Sequence, residues 1–269
     1  MNKSHENVYN FIIDKIENGN FINWTSFIKS PINYMTKDSY KGINRLTLSF
    51  GKTPYFLTLK QINLLGGNIK KGAKGFPIIY YTFNIIENKD KTLKKISMIK
   101  NFYVFNSEDI QGIEFENIET INTCEDLFLK LNDVSSIVNY NNTTAYYDVV
   151  NDIINMPKIN YFVSSAEYYS TLFHEIIHST GHPKRLERFS INDKPSQENY
   201  SKEELIAELG TAFLCADCGI SESVINNQTA YLKGWLSVLQ NDKNILFSAC
   251  REAEKAIKYL YKNDLKQVA

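Results

Sequence analysis

No stretch of this 269-residue chain approaches the run of about 20 apolar residues that a membrane-crossing helix needs. The opening MNKSHENVYNF also lacks the basic-then-apolar pattern of a secretory signal. The expected compartment is therefore the cytoplasm, with no membrane partner. Cysteine is scarce: Cys124 and Cys250 stand apart, and Cys215 and Cys218 form a CxxC inside the helical run FLCADCG. Thiol-built zinc sites normally use paired knuckles, so these read as reduced core thiols. No GxxxxGK[ST] is present, which excludes a nucleotide-binding P-loop. Repeats and low-complexity tracts are absent too. The 30 basic and 30 acidic residues cancel, so any charge-driven binding must be local. Histidine is among the rarest residues, with four in the chain, yet three fall within the nine residues HEIIHSTGH, from His174 to His182.

The first two of these stand at the HExxH spacing. On a helix, His174 and His178 lie one turn apart on one face, where two imidazoles can converge on a single zinc ion, and Glu175 can act as the proton carrier for an activated water. The context EYYSTLFHEIIHSTG supports a helix, with apolar residues at helical spacing and Gly181 where a C-cap would end it. A metal-free core helix is the rival account, and it leaves the intervening glutamate unexplained.

Two histidines need a third ligand. His182, Glu204 and Glu208 are the candidates. A helix that stops at Gly181 would turn His182 away. The run from Lys202 to Ala216 reads as a helix with Leu205, Leu209 and Phe213 on one face and Glu204 and Glu208 on another. One of these glutamates could bind the metal while the other takes the far nitrogen of a ligating histidine. Against Glu204, Ser201 and Glu204 match a capping box, which would assign that carboxylate to a backbone amide. For a developing oxyanion, Tyr147, Tyr200 and Arg188 are candidate donors that spacing cannot separate. Ala145 to Pro157 reads as a strand beside the cleft, able to hold an extended peptide.

The first half carries a signal in charge. From Ser39 to Ile86 there are seven basic residues and no acidic one, interleaved with aromatics, whereas Asn106 to Asp126 holds seven acidic residues and no basic one. Lysines that follow phosphates and rings that stack on bases make a surface for single-stranded DNA, although the alternation in PIIYYTFNII assigns about half of those rings to a core. The spacing predicts a helix in SHENVYNFIIDKIENG, a strand at Leu46 to Phe50, a short helix at Thr58 to Leu65, strands around Ile78 to Phe83 and in KKISMIKNFYVFN, and helices near Glu125 to Ser135, Gln228 to Gln240 and Asn244 to Tyr261. The charge reversal places a linker near Ile118 to Glu125. The expected architecture is α+β: a small α+β domain with antiparallel strands at 1–120, and a mostly helical domain with a small sheet at 121–269.

Taken together, these stretches resemble the ArdC-type antirestriction proteins, which are related to the N-terminal region of plasmid TraC primases. The resemblance rests on Trp24, TKDSYKGIN, YFLTLKQINLLGGNIKKGAKGFPIIYY and YVFN in the first half, and on AYYDVVNDIINMP, YYSTLFHEIIHSTGHPKRLER, YSKEELIAELGTAFL and AYLKGWLSVL in the second. It implies a single-stranded-DNA-binding domain joined to a zincin-like metallopeptidase domain that protects mobile or phage DNA from host restriction. It also implies zinc on His174, His178 and Glu204, with Glu175 catalytic, and a host restriction or defence protein as candidate substrate. Candidate nucleic-acid residues are Trp24, Tyr40, Lys41, Asn44, Arg45, Tyr55, Lys60, Lys70, Lys71 and Lys74. The rivals are a metallopeptidase with no DNA role and a non-catalytic, zinc-stabilised binding protein.

Overall fold

A computed structural model describes residues 2–18, 30–87, 91–116, 123–140, 143–189, 197–219, 235–236 and 238–261. The chain separates into two compact units, Met1–Trp24 with Pro31–Asn117, and Thr25–Ser30 with Ile118–Ala269.

The first unit opens with helix α1, Lys3–Glu17, whose Asn2 side chain accepts from the His5 N–H. Val8, Ile12 and Ile16 are almost fully buried, one turn apart each time, which gives the helix a single apolar stripe. Four strands follow in the spatial order β1 (Ile32–Asn33), β2 (Tyr55–Thr58), β5 (Leu93–Asn106) and β4 (Phe76–Glu87). The β1–β2 pair is parallel and the others are antiparallel; β4 and β5 form a long hairpin paired from Phe76↔Val104 to Glu87↔Leu93. Short strands β3 (Asn68–Ile69) and β6 (Ile110–Gln111) pair separately. Between β2 and β3, helix α3 (Leu59–Leu64) is closed by a reciprocal Thr58–Gln61 capping box and seats Ile62 beside Leu57 and Ile110.

Leu46 to Phe50, expected as a strand, belongs instead to helix α2, Gly42–Leu48, and its closing turn. Leu46, Leu48 and Phe50 alternate with Arg45, Thr47 and Ser49 as in a strand, but residues 45–50 are all buried, so the alternation does not separate a core face from a solvent face. Helix α2 also supplies Asn44, whose carboxamide donates to the Ile79 carbonyl at 2.7 Å and accepts from the Ile79 N–H at 2.8 Å. Asn44 thereby acts as a one-residue strand partner on the open edge of β4.

The second unit contains α4 (Cys124–Lys130), a three-stranded sheet ordered β7 (Ser136–Val138), β9 (Ile153–Asn155) and β8 (Tyr146–Asp148), and three longer helices. These are α5 (Ser165–Ser179), α6 (Gln197–Asp217) and α7 (Lys243–Leu260), with α6 packed on both others. Ala249, Ala253 and Ala256 are fully buried, small residues that let α7 approach closely. Helix α4 stops at Lys130, short of the expected Ser135. The single strand expected over Ala145 to Pro157 is a hairpin, because Asp148 accepts from the Val150 and Asn151 N–H groups and folds the chain back. The helix expected over Gln228 to Gln240 falls largely outside the described residues.

Asn44→Ala leaves both polar groups of Ile79 without this partner, at a cost of about 1 to 3 kcal/mol. The expected outcome is faster hydrogen exchange at the Ile79 amide and a lowered denaturant midpoint.

Candidate metal centre

Helix α5 starts at Ser164, whose side chain accepts from the Glu167 N–H at 3.2 Å, and runs uninterrupted through HEIIH. His174 and His178 stack edge to face, with their Nε2 atoms 3.0 Å apart. Helix α6 brings Glu204 to them: its carboxylate oxygens lie 3.6 Å from His174 Nε2 and 3.5 Å from His178 Nε2. Among the described residues these three form the group able to share one ion, with all ligand atoms within 4.8 Å of one another. A tetrahedral ion with bonds of about 2.1 Å holds its ligands about 3.4 Å apart, so the triangle fits a small divalent cation.

The approach of the two helices depends on Gly210. A Cβ there would stand 2.8 Å from the Ile177 side chain, itself fully buried on α5. The expected capping box is not formed, because α6 begins at Gln197 and Ser201 lies inside it; Glu204 is thus released from capping.

Each remaining carboxylate has its own place. Glu203, which the sequence did not single out, lies 3.3 Å from His178 Nδ1 and is gripped by Arg188, with Nε to Oε2 at 2.9 Å and Nη2 to Oε1 at 2.8 Å. Arg188 also donates to the Ile177 carbonyl and to Thr180 Oγ1, tying the end of α5 to α6. Burial pushes the Glu203 carboxyl up, but hydrogen bonds from His178 and Arg188 outweigh it and leave the pKa lowered. Glu208 sits 3.9 Å from His174 Nδ1, beyond hydrogen-bond reach, and burial raises its pKa. Burial also opposes charge on His174 and Glu204, yet their mutual contact prevails, raising the histidine and lowering the glutamate. Glu175 is buried, which raises its pKa against the pull of both histidines, and the Tyr147 backbone N–H bonds its carboxylate.

His182 is outside this set. After Thr180 the chain reverses at Gly181, whose carbonyl accepts from the Arg188 and Phe189 N–H groups, and His182 Nδ1 accepts from the Lys184 N–H. Of the three oxyanion-donor candidates, Tyr147 donates its hydroxyl to Asp152, in a buried knot with Arg185 and Ser135, and Arg188 is engaged by Glu203. Tyr200 bonds Glu204 while remaining 61% exposed.

The nucleic-acid candidates separate by burial. Arg45 and Tyr55 are buried, the latter packed on Tyr34 and Phe115, and Asn44 is engaged with β4. Tyr40 is half-buried and accepts from Asn33. Lys70 donates to the Glu108 carbonyl at 2.5 Å, whereas Lys41, Lys60, Lys71 and Lys74 are exposed. Trp24 lies outside the described residues.

Residues 2–105 match the family model described as the N-terminal domain of anti-restriction factor ArdC, and residues 125–252 match a zincin-like metallopeptidase model. The crystal structure of antirestriction ArdC from plasmid R388, in metal-free form, superposes with a TM-score of 0.78 at 32% identity, covering 98% of this chain and 99% of that one. This chain belongs to the ArdC antirestriction family. The Mn(II)-bound form of the same R388 protein aligns with a TM-score of 0.76 at 33% identity, covering 98% of each chain. Two DNA primases TraC from Escherichia coli are 31% and 30% identical over 88% and 90% of this chain. The chain spans about a fifth to a quarter of the length of those primases, 18% and 25%. In this ArdC-family chain the metal-ligating candidates sit wholly within the zincin-like match.

Gly210→Ala would gain helix propensity of about 1 kcal/mol but forces Cβ into Ile177, where overpacking costs about 1 to 3 kcal/mol. The clash should win, because Ile177 is enclosed. Denaturant unfolding should show a less stable protein, partly rescued by Ile177→Val in a double-mutant cycle.

Proposed function

We propose that this protein shields incoming mobile-element or phage DNA from host restriction in the cytoplasm, binding single-stranded DNA with its first unit and holding zinc between α5 and α6 for peptide-bond hydrolysis. The triangle of His174, His178 and Glu204 carries the hydrolytic reading. Two of its three donors are imidazole nitrogens, which suit zinc better than manganese. When bound, the ion supplies positive charge that polarises a carbonyl and acidifies water.

The chain's own groups perform the remaining work. Glu175, desolvated by burial, takes a proton from water and returns it to the leaving nitrogen. Glu203 accepts the Nδ1 proton of His178, which leaves the Nε2 lone pair directed at the ion. Strand β8 is the end strand of its sheet, with main-chain groups suited to an extended peptide, and a host restriction or defence protein is the substrate class. In the first unit, the exposed Lys41, Lys60, Lys71 and Lys74, in a segment free of acidic residues, support attraction for a phosphate backbone.

Purified protein is expected to carry one zinc per chain, and the His174→Ala/His178→Ala variant to lose it. Retention of stoichiometric zinc by that variant would sink the metal assignment. In chelator competition, Glu203→Gln should weaken zinc affinity about 10- to 100-fold, and Glu208→Gln by less.

Glu175→Gln should abolish cleavage of a peptide library while preserving zinc content and DNA affinity. Equal cleavage by both proteins removes Glu175 from the chemistry, and no cleavage by zinc-loaded wild type favours the non-catalytic binding protein. Replacing Lys71 and Lys74 with glutamine should weaken single-stranded-DNA binding across sequences and lower its salt slope by up to about 1.4.

A further inference from the structure

Among the described residues, four aromatic side chains on the β4–β5 hairpin are exposed: Tyr80 58%, Tyr81 53%, Phe102 44% and Tyr103 51%. Two of them are accounted for by α1, since the Tyr81 hydroxyl lies 3.2 Å from His5 Nε2 and the Tyr103 hydroxyl accepts from Asn7 at 3.0 Å. Tyr80 and Phe102 instead meet each other, with ring centroids 6.0 Å apart and planes at 83°. In such an edge-to-face pair the ring that offers its edge keeps both of its own faces open.

The register fixes what surrounds them. Ile78 pairs with Phe102 and Tyr80 with Lys100, so Phe102, Tyr80 and Lys100 project from one face of the hairpin. Lys100 is exposed. Strands β4 and β5 contain Lys94, Lys95 and Lys100 against one acidic residue, Glu87, at the far end of β4. A second copy docked on this face about a two-fold axis would bring like-charged hairpins together, which disfavours self-association. An anionic partner with accessible π-faces satisfies both the rings and the lysine, and single-stranded nucleic acid offers both, whereas a duplex hides its base faces.

We propose that the hairpin face formed by Tyr80, Phe102 and Lys100 is a base-stacking platform for single-stranded DNA. This rests on the DNA-binding reading above and locates it on side chains other than Lys41, Lys60, Lys71 and Lys74. The rings contribute stacking that is indifferent to sequence and to salt; Lys100 contributes one phosphate contact.

The test uses the full chain and a labelled oligothymidine, with affinity measured by fluorescence anisotropy across salt concentrations. Tyr80→Ala and Phe102→Ala should each weaken binding about 5- to 100-fold with the salt slope unchanged, while Tyr80→Phe and Phe102→Tyr retain wild-type affinity. Lys100→Gln should lower the slope by about 0.7. In Phe102→Trp, the added indole emission should be quenched by the oligonucleotide. Wild-type binding that both alanine variants retain in full would overturn the platform and leave the DNA-binding reading intact; failure of wild type to bind would overturn both. If the double alanine variant changes only the sedimentation behaviour, the face belongs to a second copy and the proposal falls.

Discussion

The candidate centre depends on how closely α5 and α6 can lie. HExxH alone arranges two imidazoles; the third donor comes from another helix, and Glu204 reaches the histidines only because no side chain at Gly210 holds the helices apart. Close packing is then secured by charge. Arg188 emerges from the loop after α5, grips Glu203 on α6 through both carboxylate oxygens and returns to the α5 carbonyl of Ile177. One guanidinium thus spans both helices, a geometry that a lysine ammonium could not reproduce.

The same closeness concentrates negative charge. Glu175, Glu203, Glu204 and Glu208 surround two imidazoles, and Arg188 compensates one of the four. The carboxylates divide accordingly. Glu203 and Glu204, in contact with cationic or hydrogen-bonding partners, are held below the usual range, while Glu175 and Glu208, with burial dominant, are held above it. A divalent cation at the triangle is the addition that would relieve this arrangement most directly, because it neutralises the ligand carboxylate and removes the need for imidazole protonation. The charge follows from the same close packing that sets the ligand spacing, and both favour a cation between α5 and α6.

Much of this was legible in the sequence where local periodicity controls the outcome. The α5 helix, its end near Gly181 and the turning away of His182 follow from residue spacing and backbone chemistry alone. Glu203 was not legible, because a helical wheel ranks residues by one face, whereas α6 crosses α5 so that the neighbours Glu203 and Glu204 meet opposite sides of the His178 ring. The Ser201–Glu204 capping signature, the rival reading of Glu204, does not apply: the helix starts a turn earlier, at Gln197, and a motif for a helix end has no force inside one. Helix α2 was missed because Leu46, Leu48 and Phe50 alternate with polar residues as in a strand, and the Asp148 turn between β8 and β9 because β-propensity does not encode where a chain reverses.

Composition was a poor guide to which basic and aromatic side chains of the first unit reach solvent. The acid-free segment is basic by sequence, but folding removes Arg45 and Tyr55 to the interior, ties Lys70 to a carbonyl and spends Asn44 on a strand edge. The alternation in PIIYYTFNII suggested that about half of the rings between Ser39 and Ile86 belong to a core, but not which ones: Phe50, Tyr55, Phe56 and Phe76 are buried, whereas Tyr80 and Tyr81 of that run are exposed. Register shows where each ring stands: Tyr80 lies opposite Lys100, so a ring that composition would count as core stands beside a cation in solvent. Which rings of the hairpin reach solvent is therefore set by pairing across strands, a relation between residues twenty positions apart that no window along the chain contains.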